Sequence, residues 1–261
     1  MIFNHDFRHG GLTLRSTIHL PDDADRAPTA VLIHGFTNNR METGACFVRL
    51  SRLLERHGIA SVRFDLSGHG ESDGDFFDVT ITGEIAETIS VIRDVRALDF
   101  ADPSRIALVG MSMGGVVAGI VAAEEPGIRA VCLWAPAAVA PFEIGSGYLK
   151  GRDIGAHVAA KGYFDADGHR MSPALVEDIT KLDVYGRSAA YTGPVHIIHG
   201  SDDDIVPIEY GRRYLDHYTG NATFDVVDGA DHGFGSVPHR AHLHESTVNF
   251  LRDHLESAGH D

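Results

Sequence analysis

Short apolar runs rich in β-branched residues recur along the chain, and longer segments of helical period separate them. Leu12–Leu20 (LTLRSTIHL) alternates apolar with polar positions. That is the pattern of a half-exposed strand, and it predicts an N-terminal antiparallel hairpin. Ala30–Ile33, Ser61–Leu66, Arg105–Val109, Ala130–Trp134, Val195–Ile198 and Thr223–Val227 follow, several of them nearly unbroken in apolar character. Strands of that kind are buried on both faces, as in a parallel sheet. Helical patterns occupy Cys46–His57, Thr82–Leu98, Met113–Glu124, Glu209–Tyr218 and Pro238–His254. Strands alternating with helices imply βαβ units, and hence an α/β fold built on a doubly wound, mostly parallel sheet of eight strands.

One stretch breaks this rhythm. Between Ala137 and Tyr191 no strand–helix unit of ordinary length is visible; glycines and aromatics are scattered instead. A loop of that length inside a compact domain is functional or disordered, and its aromatic content argues against disorder. Residues 137–191 are therefore expected to form an inserted cap on a core made of 1–136 and 192–261. Within the cap, Lys161–Phe164 and His169–Met171 predict a hairpin about Asp165-Ala-Asp-Gly168, since Asp-Gly favours tight turns.

Composition narrows the partners. The 261 residues suit one domain with a modest insertion. A formal charge of −15, from 22 Lys and Arg against 37 Asp and Glu, repels nucleic acid and anionic membrane, whose phosphates need clustered cations. Two cysteines, Cys46 and Cys132, are too few for a disulfide framework, and Cys132 lies inside an apolar run. The N-terminus MIFNHDFRHG lacks the basic and apolar regions of a signal peptide. No apolar stretch approaches the ~20 residues needed to cross a bilayer. A cytoplasmic protein is expected, with a small-molecule partner; a homodimer is compatible with all of this.

The chemistry centres on Gly110-Met-Ser-Met-Gly114, which fits G-x-S-x-G between a predicted strand and a helix of small residues. A strand turning abruptly into a helix strains the backbone of Ser112, so glycines must flank it, and its hydroxyl then stands exposed above the sheet edge. A serine hydroxyl is not ionised at neutral pH and requires a base, which in turn requires an orienting acid. With this elbow the order along the chain is serine, acid, histidine. The acid belongs after Val195–Ile198, where the chain reads His199-Gly-Ser-Asp-Asp-Asp-Ile-Val-Pro207. Spacing from Gly200 to Val206-Pro207 selects Asp203, with Asp202 second and Asp204 third. The base is expected at His232, in Gly229-Ala-Asp-His-Gly-Phe234 after the last strand. His34, His69 and His199 also lie at strand ends, but none follows the acid in the final loop. An ester oxyanion needs preorganised N–H donors. The backbone N–H of Met113 is one candidate, and that of Phe36, in His34-Gly-Phe-Thr37, is the other.

Taken together, HGF at 34–36, Asp65-Leu-Ser-Gly-His-Gly-Glu-Ser72, GMSMGG at 110–115, HGSDDDIVP at 199–207 and GADHGF at 229–234 resemble the α/β-hydrolase superfamily over nearly the whole chain. HGFT at 34–37, Trp134-Ala-Pro-Ala-Ala138 and the insertion ending in Tyr191-Thr-Gly-Pro194 are similar to the cinnamoyl (feruloyl) esterase group. That resemblance implies a serine esterase of hydroxycinnamate esters, with no metal and no organic cofactor. It also implies a cap that grips the aromatic acyl group through an acid and a tyrosine, which by position are Glu143 and Tyr185. Met113 departs from the glutamine often found at that elbow position. A short-chain esterase, a thioesterase or another acyl hydrolase or acyltransferase would use the same three residues, because specificity lives in the cap. A non-catalytic scaffold is the remote alternative, and filled triad positions speak against it. Dehalogenase and epoxide hydrolase chemistries want an aspartate where this chain has Ser112.

Overall fold

The computed structural model describes residues 1–22 and 26–256. An antiparallel hairpin opens the chain, β1 (Ile2–His9) and β2 (Leu12–His19). Its turn is Gly10-Gly11, both at positive φ (56° and 86°), the conformation a two-residue hairpin loop demands and glycine supplies freely. The core continues with β3 (Ala27–Ile33), α1 (Cys46–Arg56), β4 (Ala60–Phe64), α2 (Ile81–Arg96), β5 (Ala101–Met111), α3 (Met113–Glu124) and β6 (Ile128–Trp134). The insertion then supplies α4 (Ala140–Gly145), β7 (Tyr148–Leu149), β8 (Arg152–Asp153), α5 (Ile154–Lys161), β9 (Phe164–Ala166), β10 (His169–Met171), α6 (Pro173–Thr180) and α7 (Val184–Ser188). Finally β11 (Val195–Gly200), α8 (Ile208–His217), β12 (Ala222–Val227) and α9 (Val237–Leu255) complete the core.

Eight strands form one sheet in the order β1-β2-β4-β3-β5-β6-β11-β12. The pairs β1–β2 and β2–β4 are antiparallel, and every other pair is parallel. Alternation along the central strands sorts side chains to two fully buried faces. Val31, Ile33, Leu108, Val131, Leu133 and Ile197 pack with residues of α2 and α3. Ala30, Leu32, Val109, Cys132, Trp134 and Ile198 pack with residues of α1 and α9. Trp134 satisfies its indole N–H on the Thr247 hydroxyl at 2.9 Å. Cys46 and Cys132 are both buried free thiols.

From β3 the chain departs to β4 on one side and to β5 on the other. Such a switch point opens a crevice beyond the carboxyl ends of the strands. The loops after β3, β5, β11 and β12 converge there.

The cap is less uniform than its sequence implied. The β9–β10 hairpin turns at Asp167 and Gly168, with φ of 53° and 91°, and pairs Ala166 with His169. Lys161, expected in its first strand, instead ends α5, where Gly162 closes the helix at φ 79°. The cap is tied to the core by the Thr82 hydroxyl donating to Asp178 (2.6 Å), by Arg170 on Asp75 (2.7 Å) and by Phe76 against His169. The last cap helix, α7, packs on α3 and α8 of the core.

Candidate active site

Ser112 sits between β5 and α3 with φ 55° and ψ −117°, a conformation that L-residues adopt only under constraint. Its N–H donates to the Trp134 carbonyl at 2.8 Å, which pins the elbow to β6. The flanking glycines are required by space. A Cβ on Gly110 would overlap the Gly114 carbonyl, and one on Gly114 would overlap the carbonyl of Ile33.

His232 lies in the loop between β12 and α9, and its imidazole bridges two partners. Nε2 is 3.0 Å from Ser112 Oγ, and Nδ1 is 2.7 Å from Asp203 Oδ2. The adjacent aspartates are separated by burial: Asp203 is inside, whereas Asp202 and Asp204 are exposed. Among the described residues, the Asp202 carboxylate accepts only the nearby Ser201 hydroxyl. Asp203 Oδ1 accepts the N–H groups of Ile205 (3.0 Å) and Val206 (2.7 Å), fixing the carboxylate on the loop after β11.

His199 adds support that sequence reasoning had not foreseen. It is wholly buried. Its Nε2 donates to the Val206 carbonyl at 2.8 Å and lies 3.3 Å from Asp203 Oδ2. Burial works against ionisation of Asp203. Hydrogen bonds from His199, His232 and the Val206 N–H outweigh it and hold the carboxyl well below the usual carboxylate range.

The other two strand-end histidines are structural. His34 is buried, with Nε2 accepting the Leu66 N–H at 3.1 Å and Nδ1 2.9 Å from the Gly35 carbonyl. Burial depresses it to about 4. His69, tilted against His34, is depressed to about 3 by burial and by its neighbour.

Phe36 and Met113, the residues expected to supply the oxyanion donors, line the same crevice. Met113 N–H opens α3 and is one of the donors a helix cannot pair internally. Phe36 follows Gly35, whose position against the nucleophile is close: a Cβ there would lie 3.4 Å from Ser112 Cβ. Gly35 N–H donates to the Glu42 carboxylate at 2.8 Å. Glu42 is buried and carries no periodic or motif signal that would single it out.

Above Ser112 and His232 opens a cavity of about 670 Å³, walled by the cap. Ala137, Val139, Ala140, Ile144, Leu149 and Ile179 give it an aliphatic side; Glu143, Lys150, Arg152 and Asp167 supply charge. Glu143 is on the cavity wall, and one of its oxygens accepts the Lys150 N–H at 2.8 Å. Tyr185, for which the resemblance implied the same place, is not on that wall. Its ring packs between Tyr214 and His217 and its hydroxyl donates to the Tyr210 carbonyl at 3.0 Å. It belongs to the α7–α8 packing, and burial pushes the pKa of its hydroxyl well up. Phe36 is the only Phe, Tyr or Trp among the described residues that line the cavity. Among the described residues no three His, Cys, Asp or Glu side chains group in the manner of a metal site. No helix among them is long and apolar enough to cross a membrane.

The sequence profile of the alpha/beta hydrolase family matches residues 30–245. The ferulic-acid-bound structure of Est1E from Butyrivibrio proteoclasticus superposes with a TM-score of 0.87 at 27% identity, covering 97% of this chain and 100% of that one. A monoacylglycerol lipase of Mycolicibacterium smegmatis is 23% identical over 94% of this chain and 95% of its own length. The mouse mitochondrial palmitoyl-protein thioesterase ABHD10 is 25% identical over 73% of this chain and 64% of its own. The chain spans 39% and 34% of the length of two uncharacterised Escherichia coli relatives that it also matches.

Proposed function

Since the chain belongs to the alpha/beta hydrolase family, we propose that it is a carboxylic ester hydrolase working through Ser112, His232 and Asp203. The observation that carries this reading is the continuous hydrogen-bonded line from Asp203 through His232 to Ser112 at the floor of the cavity. Ser112 Oγ attacks the ester carbonyl as its proton passes to His232 Nε2. Asp203 fixes the proton on Nδ1, so that Nε2 is the free base, and stabilises the imidazolium. The carbonyl oxygen becomes an oxyanion received by the N–H groups of Phe36 and Met113, each worth about 10²–10³ in rate. Collapse expels the alcohol, which takes the proton from His232. A water then repeats the sequence on the acyl-enzyme and frees Ser112.

For the acyl group, a hydroxycinnamate is the first reading. Its supports are the full-length likeness to a protein holding ferulic acid and Glu143 on the cavity wall, where a carboxylate can accept a phenol O–H. A second reading, an aliphatic acyl ester or thioester, is favoured by the aliphatic cap wall and by the withdrawal of Tyr185 into the core. Turnover of methyl ferulate, p-nitrophenyl butyrate and a palmitoyl thioester, each measured on the wild type and on Ser112→Ala, tests both. Loss of all hydrolysis in Ser112→Ala is expected, as is loss of labelling by a fluorophosphonate probe. Retained hydrolysis would refute the nucleophile. A higher kcat/KM for the aliphatic substrates would replace the first acyl reading with the second.

A further inference from the structure

The loop joining β3 to α1 is strained and held by one buried acid. Three of its non-glycine residues have positive φ: Thr37 at 60°, Glu42 at 59° and Ala45 at 56°. Glu42, with ψ 165°, occupies a region that is nearly reserved for glycine, and such strain persists only where the surroundings dictate it. Its side chain is 7% exposed and lines the cavity. Among the described residues no Lys or Arg forms an ion pair with it. Four donors take that place. Oε2 accepts the Gly35 N–H at 2.8 Å, and Oε1 accepts the Thr43 N–H at 2.9 Å, the Thr43 hydroxyl at 3.3 Å and the Asn38 side-chain amide.

These bonds fix one peptide in particular. The Gly35 carbonyl accepts the Asn38 N–H at 3.1 Å and lies 2.9 Å from His34 Nδ1. Because His34 Nε2 accepts from Leu66, the neutral ring has its proton on Nδ1 and donates it to that carbonyl. A trans peptide is planar, so the Phe36 N–H must point opposite to the Gly35 C=O. The Gly35 carbonyl is thus held from one side, while Glu42 holds the Gly35 N–H and, through Asn38, the chain on the far side of the turn. Burial raises the Glu42 carboxyl, opposed by the Gly35 and Thr43 donors and by nearby His232.

We propose that Glu42 is the positioning residue of the oxyanion loop: its carboxylate clamps the Gly35–Thr43 turn so that the Phe36 N–H is aimed at the developing oxyanion. The inference rests on the esterase reading above. It requires an acid there, because both oxygens accept. In Glu42→Gln the amide must turn its NH₂ either to the Gly35 N–H or to the Thr43 and Asn38 donors, and one end of the clamp opens. A donor displaced by about 1 Å loses roughly 10²-fold in rate, and the loss falls on the transition state rather than on ground-state binding.

The test is steady-state hydrolysis of p-nitrophenyl butyrate by Glu42→Gln, together with inhibition by phenylboronic acid, whose serine adduct places an anionic oxygen where the oxyanion forms. A fall in kcat on the order of 10²-fold, with KM within about threefold and boronate affinity weakened in parallel, is expected. Unchanged kcat, or a KM effect with unchanged boronate affinity, overturns the proposal. Should Glu42→Gln fail to fold, Asn38→Ala removes one donor from the clamp and is expected to lower kcat at constant KM; wild-type kcat there overturns it equally. A wild-type protein that neither hydrolyses ester nor labels with fluorophosphonate would instead remove the esterase reading beneath it.

Discussion

Replacing Asp203 by asparagine changes one oxygen to NH₂ at the most constrained side chain of the site. Two orientations are open to the amide. If its oxygen stays on the Ile205 and Val206 N–H groups, its NH₂ faces His199 and His232. His199 Nε2–H is committed to the Val206 carbonyl and cannot turn into an acceptor. His232 Nδ1 can, but only by moving its proton to Nε2, 3.0 Å from Ser112 Oγ, where a base is needed. The reverse orientation sets NH₂ against two N–H donors, a partly buried one on Ile205 and a buried one on Val206, and a donor left unpaired in burial costs about 1–3 kcal/mol. The first orientation therefore wins, and the site keeps its geometry with the wrong tautomer. Loss of tautomer control in a serine triad lowers kcat by about 10⁴, about 5.5 kcal/mol on the barrier. The assay is p-nitrophenyl butyrate hydrolysis per active site, alongside Asp202→Asn. That exposed carboxylate is not bonded to His232, so its variant should stay within about threefold of wild type, the range of ordinary surface changes. A loss below tenfold for Asp203→Asn, or an equal loss for Asp202→Asn, would refute the reasoning and hand the acid role to another residue.

Gly114→Ala places a methyl group on the Ile33 carbonyl and should destabilise the fold by about 3 kcal/mol, lowering the melting temperature on the order of 10 °C; an unshifted melting curve would mean the elbow is looser than described. Tyr185→Phe removes a hydroxyl whose partner is the Tyr210 carbonyl. It should cost about 1 kcal/mol of stability and leave kcat/KM for methyl ferulate unchanged, whereas a tenfold loss would return this tyrosine to the substrate. Glu143→Ala, by contrast, should raise KM for methyl ferulate severalfold and spare p-nitrophenyl butyrate, and equal effects on both would deny it a role in acyl recognition. Burial depresses His34 and His244 to about 4 and His69 to about 3. Above pH ~6.5 these histidines are neutral in both states. Below it the unfolded chain binds protons that the native state refuses, so stability should fall between pH ~6.5 and 4 by up to about 1.4 kcal/mol per pH unit for each. Urea unfolding at pH 7 and pH 5 measures this, and a difference under about 1 kcal/mol would count against it.

The core could be read from the chain because its signals are local. Apolar runs such as Ala130–Trp134 are continuous because their strands have two covered faces, and Gly110 and Gly114 are glycines because nothing larger fits. The order of Ser112, Asp203 and His232 follows from which strand ends converge, which the alternation already implies. Asp203 stood out from its neighbours by spacing, and the structure gives the reason: it alone of the three points inward. The cap was less legible. Its helices are short, and α5 owes its end to Gly162 rather than to any change in hydrophobic period. Its aromatics divide between roles that composition cannot separate. Phe142 is half exposed and lies over Tyr210, Tyr185 sits in the core, and the cavity keeps neither ring among its described lining residues.

Glu42 and His199 mark what single-sequence reading misses at a site of this kind. Each is a polar residue buried for the sake of another: His199 donates beside Asp203, and Glu42 receives the loop that carries Phe36. Glu42 stands in no motif, and His199, although it opens the run 199–207, carries no mark that it supports Asp203 rather than serving as a base. Their signal is energetic. An acid buried without a cation, or an imidazole buried beside a carboxylate, is destabilising unless its hydrogen bonds are answered. At both positions they are answered by groups that set the geometry of the site. In His199 the answer is incomplete: Nδ1 is buried without a partner among the described residues, and a Cβ on Gly211 would press against it. The bare backbone of α8 at Gly211 is thus what lets His199 stand where its other nitrogen reaches Val206 and Asp203. Precision at Ser112 therefore depends on residues two steps removed from it, on α8 and on the loop after β3, as much as on the three side chains in line.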